Sequence, residues 1–302
     1  MPARLILNAD DFGLTQGINR AIGELHSAGV ISSTTLMASG TAFDDAVEVA
    51  RAHATLGVGC HIVLTDGTPI SPPGSIRSLL GPDGSSFRPS LDAFVQALLL
   101  GRINQEEVAR EAHSQIEKLQ RAGINITHLD THKHTHLFPS IARPLLQVAE
   151  RCGIRAIRNP FEPGWSLALD HGRRARRLAV RLVGRLRPRF EAHAQIRDGH
   201  VLTTDGTVAI SATGRLNANS LAEILRALPS SGTYELCCHP GYNDGELDRV
   251  NTCLRAHREV ERNALLSELP KLLSYANAPK LVHYGVLAAE QNSAALVADV
   301  PS

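Results

Sequence analysis

Aspartate and histidine side chains recur in this chain directly after short apolar runs that are typical of β-strands. They lie in four segments: LNADDFG at 7–13, GCHIVL at 59–64, THLDTHKHTH at 127–136 and CCHPG at 237–241. In an α/β sheet or barrel, the carboxyl ends of parallel strands open on one face, where functional groups from distant segments meet. We therefore expect the four segments to form one site, and a metal-assisted hydrolase is the leading interpretation.

Strand-like runs alternate with helical runs along most of the chain, which predicts parallel β-α units. Strands are predicted at 5–9, 31–37, 56–64, 126–129, 154–157, 208–211, 234–238 and 280–282, and helices at 17–28, 42–54, 105–122, 139–151, 218–228 and 254–274. An open doubly wound sheet or a barrel would satisfy this order. The many strand ends with polar side chains favour an irregular TIM-like (β/α) barrel, with one α/β domain over 1–290.

Composition narrows the cellular setting and the kind of partner. The net charge is +1, so no global charge steers anions to the surface. No run approaches the 18 apolar residues of a membrane span, and no signal peptide precedes the first strand-like run. Five cysteines without a CxxC spacing argue against a disulfide framework, so we expect a cytoplasmic protein.

Two irregular segments carry separate expectations. The stretch 65–89 is rich in Gly, Pro, Asp and Ser and follows the strand that bears His61, so it is expected to be a lid or binding loop that overhangs the site. The last residues, 291–302, lack periodicity and are expected to fray.

Asp10 and Asp11 are adjacent at a predicted strand end. Neighbouring residues of a strand point in different directions, so one carboxylate can bind a metal while the other acts as a base. A turn followed by a helix cap explains the same pair. His61, inside an apolar strand, is by itself more typical of a core residue than of a ligand.

The segment 128–136 changes that balance, because it holds four histidines and one aspartate in nine residues: His128, Asp130, His132, His134 and His136. A core or a solvated loop rarely needs so many imidazoles, so the cluster indicates a functional site. One carboxylate and two histidines with open positions would suit a borderline divalent metal. The remaining side chains would bind substrate hydroxyls or orient the ligands.

Two further residues follow predicted strands. His239 lies at the end of YELCCH, just before Pro240 and Gly241; a turn residue is the simple interpretation, but its fit to the other strand ends favours proton transfer. Arg158 follows IRAI and would either orient a carboxylate or form a surface salt bridge. The sequence leaves both open.

Taken in order, LILNADDFGLTQGIN, GCHIVL with its Gly/Pro loop, THLDTHKHTHLFP and ELCCHPG resemble the YdjC-like carbohydrate deacetylase family, which includes diacetylchitobiose deacetylases. The motifs span residues 5 to about 285. The resemblance implies an irregular TIM-like barrel of the polysaccharide-deacetylase type. It also implies one divalent metal ion and hydrolysis of an N-acetyl group from an amino sugar.

The resemblance also implies roles for individual residues. Asp11, His61 and His132 would hold the metal, which is magnesium in the family pattern, although zinc suits these donors chemically. The implied catalytic residues are Asp10 as general base and His239 as general acid. From the residue pattern itself we also expect Arg158 to take part in catalysis, and Asp130, His134 and His136 to contact the substrate. Lys133 stands where family members often have a histidine, which puts a substrate contact in question.

The stretch 173–189, RRARRLAVRLVGRLRPR, holds eight arginines and no acid, with apolar residues at helical spacing. It predicts a basic amphipathic helix over 170–190 that suits an anionic membrane surface. An ordinary helix with its apolar stripe on the core is the alternative. Nucleic-acid binding is a weaker one, because no aromatic residue interleaves the arginines, and we expect none.

This stretch and the RNPFEP segment resemble the hopanoid-biosynthesis branch of the family, which implies an N-acetylglucosaminyl bacteriohopanetetrol as the substrate. A soluble chitobiose-type oligosaccharide is the alternative substrate. Outside enzymes, a non-catalytic glycan- or lipid-binding protein remains open. A metal phosphoesterase is disfavoured, because the sequence lacks a phosphate-binding Gly-rich loop and the extra carboxylates of a two-metal centre.

Overall fold

Every strand pairing in the central sheet is parallel. The computed structural model describes residues 3–169, 174–275 and 277–290. Its strands are β1 Arg4–Phe12, β2 Ser33–Leu36, β3 Gly57–Ile62, β4 Ile126–Thr131, β5 Gly206–Val208, β6 Thr233–Cys238 and β7 Lys280–Leu281. They lie in the order β4-β3-β2-β1-β6-β5, and β7 also pairs with β1. The α/β class is confirmed.

Helices follow most of the strands and cover the outside of the sheet. They are α1 Gln16–Ser27, α2 Phe43–Ala52, α3 Leu91–Leu99, α4 Gln105–Arg121, α5 Pro139–Arg151, α6 Gly164–Leu167, α7 Arg174–Val183, α8 Arg187–Glu191, α9 Ala194–Arg197, α10 Ala218–Arg226 and α11 Ala256–Leu273. The main apolar cluster runs from Leu5 in β1 to Leu269 in α11. Among the described residues, no helix is both long enough and apolar enough to cross a membrane.

Helix α4 illustrates how local sequence fixes an element. The Asn104 side chain accepts a hydrogen bond from the Glu106 backbone N–H at 2.8 Å, which caps the first turn. A buried stripe at helical spacing faces the sheet, as the sequence predicts: Val108, Ala112, Ile116 and Leu119.

Isolated bridges join the two edges of the sheet and curl it into the predicted irregular barrel. Ile157 pairs with Leu129 in β4, and Ala156 pairs with Leu202, just before β5. The strand-like character predicted at 154–157 is confirmed, because the segment makes parallel pairings on both sides. Each pairing is a single bridge rather than a continuous ladder.

The strand predicted at 208–211 lies earlier in the chain than expected, because β5 ends at Val208. Ala209 has a φ of 70°, a left-handed conformation that ends the extended chain. Of the predicted basic helix, Arg173 and residues 170–172 lie outside the described residues, and α7 begins at Arg174. The predicted tail at 291–302 also lies outside them.

Candidate metal centre

The carboxyl end of β1 separates the two aspartates. Pairing with β2 shifts register between Ala9 and Phe12, and Asp11 has a φ of 66°. A bulge of this kind re-aims side chains at a strand end. Asp10 and Asp11 are each only 3% exposed, yet their carboxylates contact different partners.

Asp11 lies against two histidines from neighbouring strands. Its Oδ1 is 3.7 Å from His61 Nε2 and 3.4 Å from His132 Nδ1, and one donor atom from each residue lies within 4.8 Å of the others. At zinc bond lengths of about 2.0–2.2 Å to nitrogen and oxygen, tetrahedral donors stand about 3.3–3.6 Å apart. The three side chains therefore fit a divalent metal with little movement.

Asp130 fixes the orientation of His61. Its Oδ1 lies 2.7 Å from His61 Nδ1, which leaves Nε2 facing Asp11. A carboxylate on the far ring nitrogen is the usual partner of a metal-binding histidine. Burial lowers the pKa of His61, but Asp130 outweighs it and raises that pKa to about 9.

A guanidinium from α11 supports Asp11 from the other side. Arg258 is 1% exposed, and its Nη2 donates to Asp11 Oδ2 at 2.6 Å. Burial would raise the pKa of Asp11, but Arg258 and the neighbouring histidines hold it well below its usual range. Asp11 is thus ionised, with Oδ1 left free for a metal.

Arg158 organises the second aspartate. It is 0% exposed, so the orienting alternative describes its position and the surface salt bridge does not. Its Nη1 and Nη2 donate to the two oxygens of Asp10 at 2.8 and 2.5 Å, a bidentate pair that fixes the carboxylate plane. It also contacts Asp130 Oδ2 at 2.7 Å and Glu235 Oε1 at 2.5 Å.

His239 completes the Asp10 side. Its Nε2 lies 3.9 Å from Asp10 Oδ2, and its backbone N–H donates to Glu261 Oε2 at 2.6 Å. Burial lowers the pKa of His239 to about 4 and raises that of Glu261 to about 7. His239 is therefore neutral near pH 7 in the metal-free protein.

The other histidines of 128–136 differ in how far they are buried. His136 is 0% exposed, with Nδ1 2.7 Å from Thr131 Oγ1 and Nε2 3.1 Å from the Arg158 carbonyl oxygen. The predicted contact of His136 with substrate stays a prediction. To make it, the ring would have to give up its hydrogen bond to Thr131 or to the Arg158 carbonyl oxygen. His134 is partly exposed, with a buried Nδ1 that has no hydrogen-bond partner, and its substrate role also stays a prediction.

The loop 65–89 meets the site at its beginning. Lys133 Nζ donates to Asp66 Oδ2 at 2.6 Å, and Asn251 Nδ2 donates to Asp66 Oδ1 at 3.1 Å. Lys133 is thus engaged with the loop at this position. Further along, the loop packs on α4, where Glu111 accepts from two of its backbone N–H groups.

Sequence reasoning missed several residues that hold the site together: Arg258, Glu261, Glu235 and Tyr284. Arg258 and Glu261 lie on a helix about 20 residues after the last motif, and no local pattern marks them. Glu235 alternates with apolar residues inside β6, and a charged residue inside a buried strand was the signal that could have found it.

Comparison with known proteins identifies a family and several relatives of this chain. A family model described as YdjC-like protein matches residues 4–273. The chain is 33% identical to a carbohydrate deacetylase from Brevibacillus brevis, over 80% of this chain and 82% of that protein. It is 32% identical to a carbohydrate deacetylase from Mus musculus, over 79% and 78%.

One solved structure has a similar fold. It is described as a candidate cellobiose-phosphate cleavage protein from Enterococcus faecalis V583, and it superimposes with a TM-score of 0.77 at 25% identity. The match covers 95% of this chain and 99% of that one.

Proposed function

The chain belongs to the YdjC-like family, and from this premise we propose that it is a metal-dependent hydrolase that removes the N-acetyl group of an N-acetylglucosamine-type sugar. The observation that carries the proposal is the division of labour at the end of β1. Asp11 faces two histidines, whereas Asp10 faces Arg158 and His239. Relatives named carbohydrate deacetylases support the substrate class.

We assign Asp11, His61 and His132 as the metal-holding residues. When bound, a divalent ion there supplies Lewis acidity to the amide carbonyl and lowers the pKa of water. The family resemblance implies magnesium, whereas two imidazole nitrogens favour zinc. Asp130 acts through His61, because it holds the ring with Nε2 toward Asp11.

Asp10 and His239 form the proton path. Asp10 accepts the proton of the attacking water, and the Arg158 pair keeps its carboxylate ionised and fixed for that step. His239 is neutral in the free protein, so it must receive a proton before it can donate one. Asp10 lies 3.9 Å away and passes that proton on, and His239 then protonates the departing sugar amine. The products are acetate and the free amine.

The surface of α7 favours a lipid-linked form of this substrate. The helix has no buried residue, and its Leu178 and Leu182 are 59% and 47% exposed. Leu178 and Leu182 therefore do not pack on the core, whereas Leu186, later in the same stretch, does pack against it, as the alternative expectation had it. The opposite face is fixed by Arg176 Nε, which donates to the Ile210 carbonyl oxygen at 3.0 Å.

Arginines flank the exposed stripe of α7. At 100° per residue, Arg174 and Arg181 project beside Leu178 on α7. Exposed leucines beside cations match the chemistry of an anionic membrane surface, with apolar side chains in the acyl boundary and guanidinium groups at phosphates. We propose that this face rests on such a membrane and that the substrate is N-acetylglucosaminyl bacteriohopanetetrol.

The test is acetate release by the metal-loaded protein from this lipid and, in parallel, from diacetylchitobiose. We expect turnover of the lipid, and a loss of about 100- to 10,000-fold in the Asp10→Asn variant with the metal still bound. Turnover of the soluble sugar alone would support the proposed mechanism and would contradict the lipid-linked substrate and the membrane contact. Activity unchanged in Asp10→Asn would contradict the mechanism.

A further inference from the structure

Cys237 gives the Asp10 side of the site a donor that the Asp11 side lacks. Its Sγ lies 3.3 Å from Asp10 Oδ2, and His239 Nε2 lies 3.9 Å from the same oxygen. One donor atom from each of the three residues lies within 4.8 Å of the others. Cys237 is 2% exposed and Asp10 is 3% exposed, whereas the His239 side chain is 12% exposed, so the cluster is buried except at His239.

The spacing of these atoms fits a metal as well as the Asp11 set does. Tetrahedral zinc with one sulfur at about 2.3 Å and lighter donors at about 2.0 Å holds its ligands about 3.3–3.6 Å apart. The two distances measured from Asp10 Oδ2 fall within a few tenths of an ångström of that range. A cation would replace the thiol proton that now points from Cys237 to Asp10.

Arg158 lies next to this cluster, and its positive charge opposes a second cation there. The same guanidinium, however, is shared by three carboxylates, Asp10, Asp130 and Glu235. Asp130 is further shared with His61. Three carboxylates thus share the one guanidinium, so its positive charge is more than balanced at the cluster itself.

We propose that Asp10, Cys237 and His239 form a second metal site, selective for soft divalent ions such as zinc and cadmium, whose occupation inhibits the enzyme. A thiolate ligand selects such ions over magnesium, and the displaced thiol proton leaves to solvent. Occupation removes the proton acceptor and the proton donor together. The inhibition rests on the proposed function, whereas the binding does not.

Cadmium binding to the magnesium-loaded protein tests the site directly, because cadmium bound to a thiolate gives an ultraviolet charge-transfer band. We expect a band that saturates near one equivalent, disappears in Cys237→Ser and persists in Cys238→Ser. Cys238 is a matched control: it is equally buried, adjacent in sequence, and its Sγ donates instead to the Asn8 carbonyl oxygen at 3.3 Å.

Cys253 is exposed and Cys152 is partly exposed, so both thiols can compete for cadmium. A band that survives in Cys237→Ser, or that disappears in Cys253→Ser, would overturn the site, as would a wild-type protein with no band. Cys237→Ala serves as a second variant if Cys237→Ser does not reach the wild-type far-ultraviolet spectrum.

Zinc titration in excess magnesium tests inhibition. We expect acetate release to fall at least tenfold in wild type and Cys238→Ser, but less than twofold in Cys237→Ser, each relative to its own rate without zinc. A Cys237-dependent cadmium band without inhibition would overturn the inhibitory part. If no acetate is released under any condition, the proposed function fails while the band still tests the site.

Discussion

Arginine occupies two opposite environments in this molecule. At the carboxyl face of the barrel, Arg158 is fully buried and its N–H groups are held by Asp10, Asp130 and Glu235. Along α7, arginines lie on a helix that has no buried residue. Arg181, for example, is exposed to solvent.

The contrast separates two uses of one side chain. A buried guanidinium is stable only when neighbouring carboxylates balance its charge, and removing it leaves those carboxylates uncompensated. An arginine at the surface is solvated and remains available to an external anion. The first sets the geometry of a site, whereas the second sets where the protein can dock.

The sharpest test of the contrast is the stability of matched arginine variants. Arg158→Met should lower the free energy of unfolding by about 3–5 kcal/mol, because three buried carboxylates lose their common partner. Arg181→Met, on exposed α7, should change it by no more than about 0.5 kcal/mol. Urea denaturation near pH 7 measures both, and equal effects would remove the distinction.

Buried ionisable residues near the site, rather than those on the surface, should make the folded protein sensitive to acid. His128 is 0% exposed and stacks on Tyr284, with ring centroids 4.0 Å apart. Burial lowers the pKa of His128 to about 3, against 6.5 when unfolded. The unfolded state therefore binds the proton first, and stability present above pH 6.5 is lost as the pH falls toward 3.

The loss is about 1.4 kcal/mol for each pH unit in that window. His128→Phe should remove this contribution, so its stability should fall less steeply than that of wild type when urea unfolding is repeated from pH 7 to pH 4. His200→Gln is the control, since His200 lies at the surface against Glu150. If the free energy of unfolding of His128→Phe falls with pH as steeply as that of wild type, His128 is not the cause of the acid sensitivity.

On the surface side, the leucines of α7 should govern vesicle binding. Leu178→Asn with Leu182→Asn should weaken binding to anionic vesicles at least tenfold, because two exposed leucines can no longer enter the acyl boundary. The melting temperature should stay within a few degrees of wild type. Leu99→Asn is a control, since Leu99 is 78% exposed at the end of α3. Sedimentation with vesicles measures the effect.

The smallest effect should come from single charges on the same helix. Arg181→Gln should weaken vesicle binding by about 1 kcal/mol, or roughly fivefold, and the loss should shrink as salt is raised. The dependence on ionic strength distinguishes a charge contribution from a packing defect. A loss that is independent of salt would argue against contact with anionic headgroups.

The sequence predicted the motif residues of the candidate site better than the residues that hold them in place. The alternation of elements predicted parallel units, and the motif residues at the ends of β1, β3, β4 and β6 do converge. Segment 154–157 pairs on both sides through isolated bridges, as its strand-like pattern predicted, whereas helix α3 was not predicted. Arg258 and Glu261 escaped prediction because nothing local marks a helical residue that reaches another strand end.

The sequence by itself determined which residue types lie at the strand ends, because apolar periodicity and polar interruptions are local properties of the chain. Only the tertiary structure decided that Arg158 lies among three carboxylates, that Asp10 and Asp11 face apart, and that Leu178 and Leu182 of α7 are exposed to solvent. Each depends on contacts between segments far apart in sequence, where packing and charge compensation select among arrangements that local pattern leaves equal.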